Sequence, residues 1–335
     1  MQVLRKLLFP ISLVYALIVF LRNRFYDWGI FSSRSFETKI LCVGNLSVGG
    51  TGKTPMIELL VELLRDKNRI AVLSRGYKRK SSGFVLASRA TSVQDLGDEP
   101  FQLKSKYPTL PVAVDANRSN GIAQLERIHK PDVILLDDAF QHRKVKPDFA
   151  ILLTAFTNLY SEDWYLPTGN LRDSKMEADR ADIIVVTKCP GFLSLQERNE
   201  IRRKLAPKED QELLYSFLSY NTRLKGNGPV SSLSGLKNTN LTLVTGIANP
   251  KPLIDFLKKE GLSFKHLRFS DHHFFSEKEL ASLRKEACIL TTEKDYVRLK
   301  DELKQLYYIE VKHKFLDNGK EVFDRALNKF MTVYS

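Results

Sequence analysis

Ile40-Leu41-Cys42-Val43 runs directly into Gly44-Asn45-Leu46-Ser47-Val48-Gly49-Gly50-Thr51-Gly52-Lys53-Thr54-Pro55, and an amphipathic stretch follows to residue 67. A β-rich run, a glycine-rich turn, Lys-Thr and a helix are, in that order, the context in which backbone N–H groups curl around phosphate oxygens at a helix N-terminus. Lys53 is placed to reach the β- and γ-phosphates of a nucleotide, and Thr54 to set its hydroxyl on Mg2+. Ser47, Val48, Gly49, Gly50, Thr51 and Gly52 complete the phosphate cradle, with Ser47 standing where the pattern G-x-x-x-x-G-K-[ST] has its first glycine.

Outward from this loop, β-rich runs at 70–73, 133–136, 150–153 and 183–186 alternate with helical patterns at 99–106, 118–129 and 196–205. That alternation predicts an α/β fold, a P-loop NTPase-like parallel sheet sandwiched by helices. The pattern weakens over residues 213–233, where Lys225-Gly226-Asn227-Gly228-Pro229 reads as a hinge or linker. It resumes with strands near 241–244, 264–269, 288–290 and 307–311, helices at 249–260 and from Ser276, and an amphipathic helix over 320–333. The expected organisation is an N-terminal membrane-associated helix (1–28), a P-loop unit (29–212), a hinge (213–233) and a smaller α/β domain with a C-terminal helix (234–335).

The 335 residues are 43% hydrophobic and 27% charged, which excludes disordered and collagen-like classes. Three dispersed cysteines and six histidines without an HExxH pattern exclude zinc ribbons and disulfide scaffolds, and favour a reducing compartment. A balance of 52 Lys+Arg against 39 Asp+Glu points to anionic partners. Nucleic acid is disfavoured among them, because no aromatic stacking platform or recognition module is present.

Residues 7–21 carry no charge. As a helix they would measure about 22 Å, short of a hydrocarbon core of about 30 Å. Arg22-Asn23-Arg24 follows directly, where a signal peptide would have small residues for cleavage. Arg5, Lys6, Arg22, Arg24, Arg34 and Lys39 outnumber Asp27 and Glu37, and Tyr26 and Trp28 sit where interfacial aromatics belong. The expectation is a helix seated on an anionic membrane surface. A core helix capping the domain is the alternative that sequence leaves open.

Two absences narrow the nucleotide chemistry. Val48 occupies the position where partitioning ATPases carry a second lysine, and Thr187-Lys188-Cys189-Pro190 lacks the aspartate of a guanine reader. ATP is therefore expected. The run Val133-Ile134-Leu135-Leu136 ends in Asp137-Asp138, and one of these two carboxylates is expected to hold Mg2+.

Taken together, several motifs resemble the tetraacyldisaccharide 4′-kinases, the membrane-bound lipid A 4′-kinases of Gram-negative bacteria. They are residues 44–55, Ser74-Arg75-Gly76-Tyr77, Gly97-Asp98-Glu99-Pro100, Leu136-Asp137-Asp138-Ala139-Phe140-Gln141-His142-Arg143, Gly169-Asn170-Leu171-Arg172, Asp271-His272-His273 and Thr291-Thr292-Glu293-Lys294-Asp295. The resemblance implies transfer of the ATP γ-phosphoryl group to the 4′-hydroxyl of a tetraacylated glucosamine disaccharide 1-phosphate, at the cytoplasmic face of the inner membrane. It implies two α/β/α domains with nucleotide and Mg2+ between them, and no obligate protein partner. It points to Asp98 as base or orienter with His272 as its partner, although Asp98 also suits the N-cap of the following helix. Arg75, Arg118, Gln141 and Arg172 are candidates for phosphate or sugar contacts. Asp173 departs from the family's usual Leu-Arg-Glu by one methylene, and Asp138-Ala139-Phe140 departs from Asp-Gly-Phe. The competing class is a membrane-tethered P-loop ATPase switch acting on a protein, which would release phosphate to water.

Overall fold

A computed structural model describes residues 2–333. Its strands are β1 (Lys39–Gly44), β2 (Ile70–Ser74), β3 (Val85–Leu86), β4 (Val112–Val114), β5 (Val133–Asp137), β6 (Phe149–Ala155), β7 (Ile183–Thr187), β8 (Glu212–Gly226), β9 (Leu241–Thr245), β10 (Lys265–Arg268), β11 (Cys288–Thr292) and β12 (Leu306–Phe315). Among the described residues they form one sheet in the order β10-β9-β11-β12-β8-β7-β6-β1-β5-β2-β4-β3. Strand β1 lies between β5 and β6, parallel to both. Its register pairs Val43 with Asp137, which sets the acidic end of β5 beside the exit of β1 into the phosphate loop. Ligand sites of open parallel sheets form at this kind of switch point, where the chain leaves for opposite sides of a central strand.

Both faces of the larger half are buried, as a parallel sheet requires. Ile40 and Cys42 face one core with Ile122 and Leu125 of the helix Arg118–His129 and Ile201 of the helix Leu195–Leu205. Leu41 and Val43 face the other core with Met56, Leu60 and Val61 of the helix Lys53–Leu64. Phe323, Leu327 and Phe330 join that second core from one stripe of the helix Gly319–Val333. The C-terminal helix, grouped by sequence with the smaller unit, thus packs on the larger one.

Residues 213–226, where the sequence suggests a hinge, lie within the long strand β8. Its first residues run parallel to β7, and from Ser216 onward it pairs antiparallel with β12. A strand that changes neighbour halfway along does not keep one buried face, which is why its hydrophobic alternation fades. β12, β11 and β9 cover a smaller core that includes Leu243, Leu257 and Leu290.

At the N-terminus, the helix Phe9–Asp27 has Pro10 in its first turn. Its side chains are distributed opposite to those of a core helix. Ser12, Val19 and Asn23 are buried, while Leu17 and Ile18 are 57% and 61% exposed. The core-helix alternative therefore gives way to a helix whose polar stripe packs on the protein and whose apolar stripe faces outward.

Candidate active site

The phosphate loop closes on itself and is held from two sides. Gly49 and Gly52 adopt φ of +121° and +91°, a left-handed backbone that side-chain-bearing residues resist. Asn45 donates from Nδ2 to Thr51 Oγ1 at 3.0 Å, and Thr187 Oγ1 donates to the Thr51 carbonyl at 2.7 Å. His313 on β12 donates from Nε2 to the Gly52 carbonyl at 2.9 Å, and its Nδ1 accepts from Ser216 Oγ at 3.0 Å. Burial pushes the His313 imidazole down to about 4, which keeps it neutral and suits that tautomer. The buried Ser47 hydroxyl has no protein partner. A cleft lined by Val48, Gly49, Gly50, Thr154, Asn158 and Tyr160 opens beside the loop.

Two adjacent carboxylates face Lys53 in different electrostatic states. Asp138 sits at φ +51°, 3.6 Å from Lys53 Nζ, and accepts hydrogen bonds from Arg172. Burial alone would raise its pKa, but Lys53 and Arg172 hold it below the ordinary value. Asp137 is buried; Oδ2 accepts from Ser74 Oγ at 3.1 Å, while Oδ1 has no partner. Burial, then the charges of Glu99 and Asp138, push it up to about 7. An orphaned buried carboxylate oxygen with a raised pKa is a site lacking positive charge. With Thr54, next in the chain to Lys53, as a further oxygen donor, the set fits Mg2+, which takes one or two carboxylates and completes its shell from phosphate and water.

Asp98 opens the helix Asp98–Lys106, and the N-cap is Gly97, so capping does not occupy the Asp98 side chain. Its Oδ2 accepts from His272 Nδ1 at 2.5 Å, and its Oδ1 accepts from Arg298 Nε at 2.9 Å. Burial opposes ionisation, yet these two donors hold the carboxyl down at about 2. His272 lies after β10, in the smaller half, with φ +62°. Its Nε2 is 3.2 Å from Lys294 Nζ, which also donates to Asp271 Oδ1 at 2.8 Å. The proximity of Glu99 to Asp137 ties this helix start to the acidic pair.

The family model for tetraacyldisaccharide-1-P 4′-kinase matches residues 4–332. The chain belongs to that family. It is 50% identical to a tetraacyldisaccharide 4′-kinase of Flavobacterium johnsoniae, covering 99% of this chain and 98% of the relative. It is 41% identical to one of Bacteroides thetaiotaomicron, covering 97% and 92%. A crystal structure of LpxK from Aquifex aeolicus in complex with ATP aligns with a TM-score of 0.80 at 29% identity, over 98% of this chain and 99% of that one.

Several of the tetraacyldisaccharide 4′-kinase motifs singled out in the sequence are hydrogen-bonded to one another around the phosphate loop, though not every residue takes part. Gln141 donates from Nε2 to the Asn45 carbonyl at 2.7 Å, and Arg172 donates to the Asn45 side chain as well as to Asp138, so both support the loop directly. Arg75 is exposed. Arg118 is 2% exposed; it donates to the carbonyls of Asp115 and Ala116 at 3.1 and 3.3 Å, so it lies beneath the site rather than at its surface. Burial lowers its pKa while Asp137 pulls it upward.

Sequence reading missed Arg298, His313, Ser74 and Asn45 as participants. Asn45 and Ser74 lie inside quoted motifs, and Arg298 lies one helical turn beyond Lys294, on the same helix Glu293–Leu299. His313 has no local signal; only the pairing of β12 with β8 carries it to the loop.

Proposed function

We propose that this chain uses ATP and Mg2+ to phosphorylate the 4′-hydroxyl of a tetraacylated glucosamine disaccharide 1-phosphate, the lipid A precursor. The observation that carries the reading is the proximity of two devices: Lys53 with the Asp137–Asp138 pair, and Asp98 with His272, where Glu99 beside Asp98 is near enough to Asp137 to raise its pKa. The 4′-oxygen attacks the γ-phosphorus, an O–P bond forms, the bond to the bridging oxygen breaks, and ADP departs. Lys53 and the loop N–H groups bind the β- and γ-phosphates and stabilise the charge that develops on them. Thr54, Asp137 and Asp138 would hold Mg2+, which when bound neutralises phosphate charge.

The hydroxyl proton passes to the Asp98–His272 pair. A carboxylate held at about 2 is a weak proton acceptor, so Asp98 orients the imidazole. Because Nδ1–H already faces Asp98, Nε2, which stands 3.2 Å from Lys294 Nζ, is the nitrogen that takes the proton once the ammonium moves off it. These two residues come from opposite halves, which supports a P-loop unit (29–212), with the helix Gly319–Val333 packed on it, and a smaller α/β unit from residue 234 that must be together for transfer. Such an arrangement limits wasteful hydrolysis.

None of the described helices is long and apolar enough to cross a membrane. The outward apolar stripe of Phe9–Asp27, flanked by Lys6 and Arg24, while Arg5 and Arg22 are bound to the protein, supports seating on the cytoplasmic leaflet of the inner membrane, where the acylated anionic substrate is reached. The test is incubation of detergent-solubilised protein with γ-labelled ATP, Mg2+ and the tetraacylated disaccharide 1-phosphate. Label on the lipid, absent with Lys53→Ala, is expected. Label appearing only as free phosphate would instead favour an ATPase switch.

A further inference from the structure

The segment 170–173 lies between the N-terminal helix and the phosphate loop and binds both. On its helix side, Tyr15 donates its hydroxyl to the Arg172 carbonyl at 3.0 Å. Arg22 donates to both oxygens of Asp173 at 3.0 and 2.9 Å, and Asn23 donates to Oδ1 at 2.8 Å. Asp173 is completely buried, and its Oδ1 also accepts from the Ser174 N–H at 2.8 Å. On its loop side, the Arg172 N–H donates to the Leu46 carbonyl at 2.8 Å, and the Val48 N–H donates to the Asn170 carbonyl at 2.7 Å. The Arg172 guanidinium ends on Asp138 and Asn45, the residues that face Lys53 and close the loop.

We propose that Asp173 is a positioning residue that couples docking of the N-terminal helix to the geometry of the phosphate loop. A buried carboxylate needs its partners in place, and here two of those partners are side chains of the helix. With the helix docked, Asp173 fixes the segment, the segment fixes Arg172, and Arg172 sets Asp138 and Asn45. Arg143 adds a second tie from the run that carries Asp138, donating to the Asn23 carbonyl at 3.0 Å and to Asp27 at 2.7 Å. The helix that meets the membrane thus acts on turnover as well as on substrate capture. This inference rests on the kinase reading above.

The test uses the full chain in detergent micelles, with Asp173→Asn, Asp173→Glu and Tyr15→Phe. Four quantities are read: kcat and KM for the tetraacylated disaccharide 1-phosphate, the Kd of a fluorescent ATP analogue, co-sedimentation with anionic phospholipid vesicles, and Tm. Asp173→Asn is expected to lower kcat by about 10–100-fold, the scale of a small misplacement of reacting groups. Its lipid KM and vesicle binding stay near wild type, since the apolar stripe is untouched. Tyr15→Phe, which removes one hydrogen bond, lowers kcat by about three- to tenfold. Asp173→Glu keeps the charge and restores most of the loss. ATP affinity falls along with kcat.

If Asp173→Asn does not fold, Tyr15→Phe decides. Wild-type kcat and ATP affinity in Tyr15→Phe, or losses confined to KM and vesicle binding, would overturn the coupling and leave the helix as an anchor alone. If the wild-type protein phosphorylates no lipid, it is the kinase reading that fails, and ATP affinity across the three variants still tests the coupling.

Discussion

Asp98 Oδ2 and His272 Nδ1 stand 2.5 Å apart across 174 residues of sequence, and they join the two halves of the sheet. Arg298 holds the other carboxylate oxygen. The pair acts as a unit, so its members should be non-additive. Asp98→Ala and His272→Ala are each expected to lower phosphoryl transfer by about 10²–10⁴-fold, with ATP affinity retained, and the double variant should be no worse than the poorer single one. Steady-state transfer and ATP-binding measurements check this. Full turnover in Asp98→Ala would remove the pair from the mechanism.

As a proposed Mg2+ ligand, Asp137 would give metal binding a pH dependence. Its carboxyl is pushed up to about 7 by burial and by the charges of Glu99 and Asp138, and only the ionised form ligates a cation. Mg2+-dependent ATP binding should therefore strengthen as pH rises through 7. Below that value the gain approaches about tenfold per pH unit, with a proton released on binding. Calorimetric titration between pH 6 and 8 in two buffers of different ionisation enthalpy measures both. Asp137→Asn should bind Mg2+·ATP more weakly and lose the slope.

Lys106 stands among three carboxylates at the seam of the two halves: Glu58 at 2.7 Å, Glu310 at 2.9 Å and Glu293 at 3.1 Å. It is 7% exposed in its side chain. Burial and the charge of Glu58 push Glu293 up to about 7. Lys106→Met would leave the glutamates without their shared cation. Breaking such a group from one side costs on the order of 3–5 kcal/mol. Chemical denaturation should show a loss of that size, and a change below about 1 kcal/mol would mean that water already reaches the cluster.

The outward face of the first helix is accessible to substitution without disturbing its polar face. Leu17 and Ile18 are both exposed, so Leu17→Asp with Ile18→Asp should leave Tm unchanged. Each would contribute about 1.5–3 kcal/mol if buried in lipid, so vesicle partitioning should weaken by about tenfold or more. Co-sedimentation with anionic vesicles reads the effect, and wild-type partitioning would move the membrane contact elsewhere.

Local features were legible in the sequence for a physical reason: each is set by neighbours in the chain. The run into the phosphate loop, Asp137-Asp138 closing a buried strand, and the helix Arg118–His129 all declare themselves through spacing and composition. β8 did not, because it serves two neighbours of opposite direction and keeps no single buried face. Asp173 read only as a shortened family carboxylate; its burial against Arg22 and Asn23 depends on a contact across about 150 residues. The apolar composition of the first helix suggested both core and membrane, and only the burial of Ser12 and Asn23 shows which stripe faces the protein.

His313 links acid stability to the phosphate loop. Its Nε2–H reaches the Gly52 carbonyl and burial pushes its imidazole down to about 4, whereas in the unfolded chain it would titrate near ~6.5. Between those values the unfolded chain holds a proton that the folded protein excludes, so stability rises with pH across the window. The contribution is complete above about 6.5 and is lost as pH falls toward 4, up to about 3 kcal/mol. His142, also lowered to about 4 by burial, acts in the same direction, so the wild-type slope has at least two sources. His313→Gln, which keeps a side-chain donor, should remove its own share. Urea denaturation at half-unit steps from pH 4 to 7 should then give a shallower slope with the plateau at pH 7 little changed. An unaltered slope would mean that the His313 ring takes up a proton in the folded protein at its ordinary pH.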